Sequence, residues 1–203
     1  MQQFVPFLDP GEQARAGHYH SSQHRAEFVI RRGLLRVILG HCLGVEPGAI
    51  QLEYGPHGRP AIARPARGRS LHFSLSHSDG TALYAAAWGR AVGVDLERVR
   101  LLSEAGQIAD QFFSAQESRA LRELPDSEKL PGFFNCWTRK EAYLKATGQG
   151  LAHGLDDFSV SLAPGEPARL LDVQANPSEI ARWSFHELLP TPGYAAALCV
   201  QAS

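Results

Sequence analysis

Three acidic residues have the types and spacing for chemistry. Asp95 and Glu97 lie two apart in Val92-Gly93-Val94-Asp95-Leu96-Glu97. On a strand, that spacing turns both carboxylates to one face and Val94 and Leu96 to the other. Two like charges side by side repel unless a cation or hydrogen-bond donors lie between them. Carboxylates of this kind, with the remaining positions left to water or phosphate, suit Mg²⁺. A solvent-facing edge strand with two unrelated acids remains open on this fragment alone. The third acid is Glu141, in Trp137-Thr138-Arg139-Lys140-Glu141-Ala142-Tyr143-Leu144-Lys145. On a helix, Trp137, Glu141 and Lys145 share one face. A surface salt bridge beside a core tryptophan has the same spacing and is worth about 0.3–0.5 kcal/mol. Against it stands the mixture, since Trp, Glu and Lys on one stripe do not make a typical core face.

Ser74-Leu75-Ser76-His77-Ser78 is the next group. Serine beside histidine suggests hydrolase chemistry, but the strained G-x-S-x-G elbow that presents a nucleophile is missing. Hydroxyls and an imidazole at a strand end are better suited to holding phosphate oxygens. A satisfied structural histidine fits the fragment equally well. Gly58-Arg59-Pro60 is a turn that can present a cation at a pocket rim, and Arg15 can do the same. Guanidinium forks match phosphate geometry. For Arg15, Arg31 and Arg36 the alternative is a solvated face. Neither G-x-x-x-x-G-K-[ST] nor G-x-G-x-x-G occurs, so the common nucleotide-binding loops are not supported.

The elements that must position these residues follow from periodicity. Residues 1–24 are polar and loop-like. Apolar residues at helical spacing from Phe28 to Leu39, followed by Gly40 and Gly44, predict a helix over about residues 23–44. Residues 50–54 alternate like a strand, and a turn cluster follows to Pro60. Leu71–Ser76 alternates again and is expected to break at Ser76–Gly80. Ala82–Trp88 and Ala91–Leu96 read as a hairpin around Gly89-Arg90. Helices are expected over Ser103–Phe113, over Ser114–Leu124 with a Ser114/Glu117 capping box, and over Gly132–Thr147. Strands 158–162, 168–173, 183–188 and 194–200 close the chain.

Composition limits the classes. The chain has 203 residues, 44% hydrophobic and 20% charged, with a formal net charge of -1. That excludes wholesale disorder and argues against broad phosphate-backbone binding, so no nucleic acid partner is expected. No apolar run is long enough for a bilayer, so no membrane is expected, and no secretory signal is visible. Cys42, Cys136 and Cys199 form no C-x-x-C pair and fit a reducing cytoplasm. Helix then strands occurs once in each half.

Taken in order, Gly58-Arg59-Pro60, Phe73–Ser78, Val92–Glu97, Phe112-Phe113-Ser114 and Trp137–Leu151 resemble the 4′-phosphopantetheinyl transferases, in the monomeric surfactin-synthetase-activating class. The resemblance implies an α+β fold of two similar α/β halves in a pseudo-twofold arrangement, here 1–98 and 99–203, with coenzyme A in the cleft between them. It implies transfer of the phosphopantetheine arm of coenzyme A to a serine of an apo carrier protein, with release of 3′,5′-ADP. Asp95, Glu97 and Glu141 resemble the family's Mg²⁺ ligands, and Lys145 the lysine at the reacting phosphate. Glu141, or a water it holds, is the implied general base. Ser74, Leu75, Ser76 and His77 resemble the segment holding coenzyme A phosphates, and Lys140 is implied beside them. His57, Gly58, Arg59 and Pro60 resemble the loop along the adenine and 3′-phosphate, with Arg59 where many members carry lysine. Arg15, or else His24 or Arg25, is the implied upstream contact. Phe112, Phe113 and Leu121, rimmed by Arg119 and Arg122, are an expected carrier-docking patch. A non-catalytic coenzyme A or carrier-binding module on the same fold, and a metal-dependent phosphohydrolase, are the competing readings.

Overall fold

The computed structural model describes residues 1–55, 58–63, 70–148, 154–188 and 190–203. Its contacts divide the chain into two compact units, Met1–Leu71 and His72–Ser203. The boundary expected at residue 98 falls at the end of a strand inside the second unit. Helices and strands are both present, as the α+β expectation requires.

The first unit begins with a 3₁₀ segment, Gln2–Phe7, and helix α1, Pro10–Gly17. This corrects the loop expected over residues 1–24. The signal was local: Asp9 and Glu12 form a reciprocal capping box, and Pro10 occupies the first turn. Helix α2, Ser22–Leu43, matches its expected span, starting at the Ser21 cap and stopping at Gly44 in the left-handed region. Leu8, Ala16, Phe28 and Val29 form this unit's small core, with Phe4 and Tyr19 packed against it. Arg36 is fully buried on α2. Its guanidinium meets Asp9 at 2.6 Å and Glu12 at 2.7 Å and donates to the Ile50 carbonyl at 2.8 Å. So Arg36 ties α1 to α2 and is not a solvated or phosphate-binding residue. Strands β1, Leu52–Tyr54, and β2, Pro60–Ile62, pair antiparallel.

In the second unit, β3 (Leu71–Ser78) and β4 (Thr81–Trp88) form one hairpin. Its two-residue turn is Asp79-Gly80, with φ of 43° and 76°. Positive φ at both central positions is the turn that Asp-Gly favours. The expected strand break at Ser76 and the hairpin around Gly89-Arg90 are therefore both corrected. Strand β5, Val92–Arg98, pairs instead with the distant β9, Tyr194–Gln201, which also pairs with β8, Trp183–Leu188. Strands β6 (Phe158–Val160) and β7 (Leu170–Val173) form a separate pair.

Helices α3 (Ala105–Phe112) and α4 (Ala115–Glu123) precede α5, Asp126–Thr147. The last begins six residues before its expected start, because Pro131 lies within its early turns without ending it. The main core gathers α5 residues Phe133, Phe134, Cys136, Ala142 and Tyr143 with Ala197 and Cys199 of β9. Turned about 100° around α5 from Glu141, Lys140 is completely buried. Its ammonium meets Glu117 at 2.7 Å and donates to the carbonyls of Leu155 and Phe158 at 2.6 Å each. Glu117 also accepts from Ser114 N at 2.8 Å and Val160 N at 2.7 Å. This node joins α4, α5 and β6. The expected contact of Lys140 with coenzyme A is corrected, since every exposed direction of its ammonium is covered by these partners. Breaking a buried pair strands an uncompensated charge, so Lys140→Met is expected to cost about 3–5 kcal/mol of unfolding free energy. Denaturant melts check it, and a loss below that of an ordinary surface substitution would contradict the account.

Candidate active site

Strand alternation decides which side chains meet α5. Val92, Val94 and Leu96 are buried on one face of β5, and Gly93, Asp95 and Glu97 lie on the other. The latter face receives α5. A Cβ placed on Gly93 would lie 2.0 Å from the Ala142 carbonyl oxygen. The grouping of Asp95 with Glu141 and Lys145 that the resemblance implies draws on one strand and one helix about fifty residues apart in sequence.

Asp95 is buried, and Lys145 Nζ lies 2.6 Å from its Oδ1. Ser76 donates to the same oxygen at 2.8 Å. Oδ2 is buried and has no hydrogen-bond partner among the described residues. A bare buried carboxylate oxygen beside two further acids is a position that a divalent cation satisfies. Glu97 accepts from Ser78 at 3.0 Å. Burial pushes the Glu141 carboxyl above the ordinary range for glutamate, and the Asp95 charge adds to it, against the pull of Lys145. Glu97 is raised in the same way, by burial first and Asp95 second. The three acids therefore feel one another. Among the described residues, no group of three His, Cys, Asp or Glu can by itself hold a metal ion.

The serines act differently from expectation. Ser74 and Ser76 are buried, and their hydroxyls face β5: Ser74 accepts from Val94 N at 3.1 Å and Ser76 holds Asp95. Ser78 accepts from Arg98 N at 3.1 Å. They fasten β3 beside β5 and orient its acids. Leu75 is half-buried and His77 exposed on the same strand. In the first unit, Arg15 is exposed and stacks its guanidinium 5.4 Å from the Phe28 ring centre. Gly58 has a positive φ of 71°, as its turn requires, and Arg59 and Pro60 are half-buried. His57 lies outside the described residues. Trp137 packs in the core edge against Phe112, Phe113 and Phe133. Of the expected docking patch, Phe113 and Leu121 are buried core and only Phe112 is exposed. Arg122 is exposed but paired with Asp110 at 2.5 Å. An apolar cavity of about 590 Å³ opens on the other face of β5, lined in part by Val92, Val94 and Leu198, and takes no part in the acid site.

The superfamily model for 4′-phosphopantetheinyl transferases matches residues 91–199, which span both β5 and α5. The 4′-phosphopantetheinyl transferase HetI of Nostoc sp. is 42% identical over 200 residues, covering 98% of this chain and 81% of that protein. This chain belongs to the 4′-phosphopantetheinyl transferase superfamily. Two bacilli supply further relatives of the transferase. Psf-1 of Bacillus pumilus is 30% identical over 99% of this chain and 82% of its own length, and Sfp of Bacillus subtilis 26% over 98% and 84%. Among solved structures, the transferase is similar to that titled as the ACPS–CoA complex of Chronobacterium ammoniagenes, at 24% identity and a TM-score of 0.39, covering 55% of this chain and 96% of that one.

The electrostatics of the transferase site yield a stability test. A carboxyl raised by folding favours its protonated form in the native state. Its contribution to stability is intact below the ordinary carboxylate range and is lost as pH rises through the interval up to the raised folded value. Glu141→Gln is therefore expected to raise the melting temperature at neutral pH in metal-free buffer, with the gain vanishing below the ordinary carboxylate range. A lower melting temperature than wild type at neutral pH would contradict the crowding of negative charge.

Proposed function

We propose that this transferase moves the phosphopantetheine arm of coenzyme A onto a serine hydroxyl of an apo carrier protein, using Asp95, Glu97, Glu141 and Lys145. The observation that carries the reading is the bare, buried Oδ2 of Asp95, set beside two acids whose protonation is raised by burial first and by the Asp95 charge second. Asp95, Glu97 and Glu141 would be the residues that hold a Mg²⁺ ion, with non-protein oxygens completing its shell. When bound, the ion offsets the charge that builds on the leaving diphosphate oxygen.

The remaining work falls to the chain's own groups. Lys145, 2.6 Å from Asp95 and partly exposed, presents a cation to the phosphate oxygens. Ser76 fixes the Asp95 carboxylate so that Oδ2 stays available. Glu141 takes the proton from the carrier's serine, whose oxygen forms the new bond to phosphorus as the bond to the 3′,5′-ADP oxygen breaks. Burial holds its carboxyl above the ordinary glutamate range, which strengthens it as a base. His77 holds coenzyme A phosphate oxygens from the exposed face of β3, and Leu75 packs beside it. The family resemblance assigns Arg15, His57, Gly58, Arg59 and Pro60 to the adenine and 3′-phosphate end. Three free cysteines support a reducing, cytoplasmic setting, and among the described residues no helix is long and apolar enough to cross a membrane. The enzyme acts as a monomer, and Phe112 is the exposed apolar residue proposed to meet the carrier.

Incubation with coenzyme A, Mg²⁺ and apo carrier proteins is expected to add one phosphopantetheine arm to the carrier, read by intact-mass spectrometry. No mass gain on several unrelated carriers, with coenzyme A binding intact, would favour the non-catalytic module. Loss of coenzyme A in a blank without carrier would favour a phosphohydrolase. Asp95→Ala and Glu141→Ala are each expected to lower kcat by ~10²-fold or more while the fold persists. His77→Ala is expected to raise the KM for coenzyme A and spare kcat, and steady-state kinetics at fixed carrier concentration separate the two.

A further inference from the structure

We propose that Gly93 is a positioning residue for the transfer reaction: its missing side chain lets α5 close onto β5 and so sets the gap across which Asp95 faces Glu141 and Lys145. The inference rests on the roles proposed above for those three residues.

The geometry is specific to this glycine. A Cβ at Gly93 would stand 2.0 Å from the Ala142 oxygen, 2.4 Å from the Ala146 nitrogen and 3.0 Å from the Ala146 Cα. All three are backbone atoms of a helix and cannot rotate aside. Ordinary carbon contacts begin near ~3.5 Å, so strand and helix would have to part by more than about 1 Å. Ala142 and Ala146 directly follow Glu141 and Lys145, and Gly93 lies two residues before Asp95 on the same face. The contact therefore sits one residue from each catalytic group on the helix. The neighbouring strand is built to the same tolerance. Cys199, Ala197 and Ala195 of β9 stand opposite Gly93, Asp95 and Glu97, all buried and all small. Gly93 does not adopt a left-handed φ, unlike Gly80 or Gly148, so backbone freedom does not explain it. What it supplies is the close approach.

A second glycine provides the control. A Cβ on Gly132, also in α5, meets the Leu124 Cδ1 at 2.6 Å, a side-chain tip that can swing away. It lies nine residues before Glu141, roughly 13 Å along the helix axis. Gly132→Ala therefore disturbs packing of the same helix without changing its distance from β5 at the acids.

The test uses Mn²⁺ as a paramagnetic probe, titrated in the presence of coenzyme A and read by electron paramagnetic resonance, on wild type, Asp95→Ala, Gly93→Ala and Gly132→Ala. Folding is checked by circular dichroism. Gly93→Ala is expected to bind Mn²⁺ about tenfold more weakly or worse. It is expected to lose kcat on the order of 10²-fold, with the KM for carrier unchanged. Gly132→Ala keeps wild-type Mn²⁺ affinity. Retention of wild-type affinity and kcat by folded Gly93→Ala overturns the inference. If wild type itself binds Mn²⁺ no better than Asp95→Ala, the metal reading beneath it fails instead. Should Gly93→Ala not fold, Ala142→Gly keeps the contacting carbonyl but loosens the helix backbone that carries it, without adding an atom. Weaker Mn²⁺ binding by that folded variant supports the inference, and unchanged binding overturns it.

Discussion

The second unit is organised by one constraint, the direct seating of α5 on β5. The strand comes from the middle of the chain and the helix from some fifty residues later, yet their backbones approach within the space a single methyl group would occupy. That seating fixes which side chains can reach one another. It buries Asp95 with Lys145 on one of its oxygens, leaves the other oxygen bare, and holds Glu97 and Glu141 where burial and the Asp95 charge both raise their affinity for protons. The rest of the unit maintains the arrangement. Strand β9 supplies a floor of small residues, β3 supplies serine hydroxyls, and the Glu117–Lys140 node locks the far side of α5 to α4 and β6.

Charge balance separates the polar groups that build the protein from those that act. Arg36 and Lys140 are as buried as any leucine, and each has partners for its full charge. Such groups are satisfied and inert. Asp95 is equally buried but only half satisfied, and its two neighbouring acids have been denied a comfortable ionised state. An unsatisfied buried carboxylate is costly. Its persistence in an otherwise well-paired unit marks the place where something else completes the interaction.

Much of this was readable from the residues. The period of two in Val92–Glu97 and the four-residue spacing of Glu141 and Lys145 each depend only on local geometry, and both faces came out as the spacing requires. Helix α2 and the Ser114 capping box were legible for the same reason. What was not legible depended on partners far along the chain. Lys140 sits beside Glu141 in sequence, so proximity suggested a shared role, but adjacent helical residues point about 100° apart and Lys140 turns to Glu117. Ser74 and Ser76 looked like free donors because nothing in the sequence reveals that β5 lies beside them. The β3–β4 hairpin was missed although Asp79-Gly80 is a strong turn signal, since alternation on either side of Gly89-Arg90 mimicked one. The pairing of β5 with β9 spans more than a hundred residues, and no short-range pattern specifies it.

The serine row on β3 has a further effect. Strand β5 is an outer strand of its three-stranded sheet, and such strands expose amides on which other chains can template new sheet. The amides of Val94 and Arg98 are already taken by Ser74 and Ser78, through side chains rather than a backbone ladder. Ser74 and Ser78 thus cap the outer margin of β5, and Ser78 does so while also holding the Glu97 carboxylate.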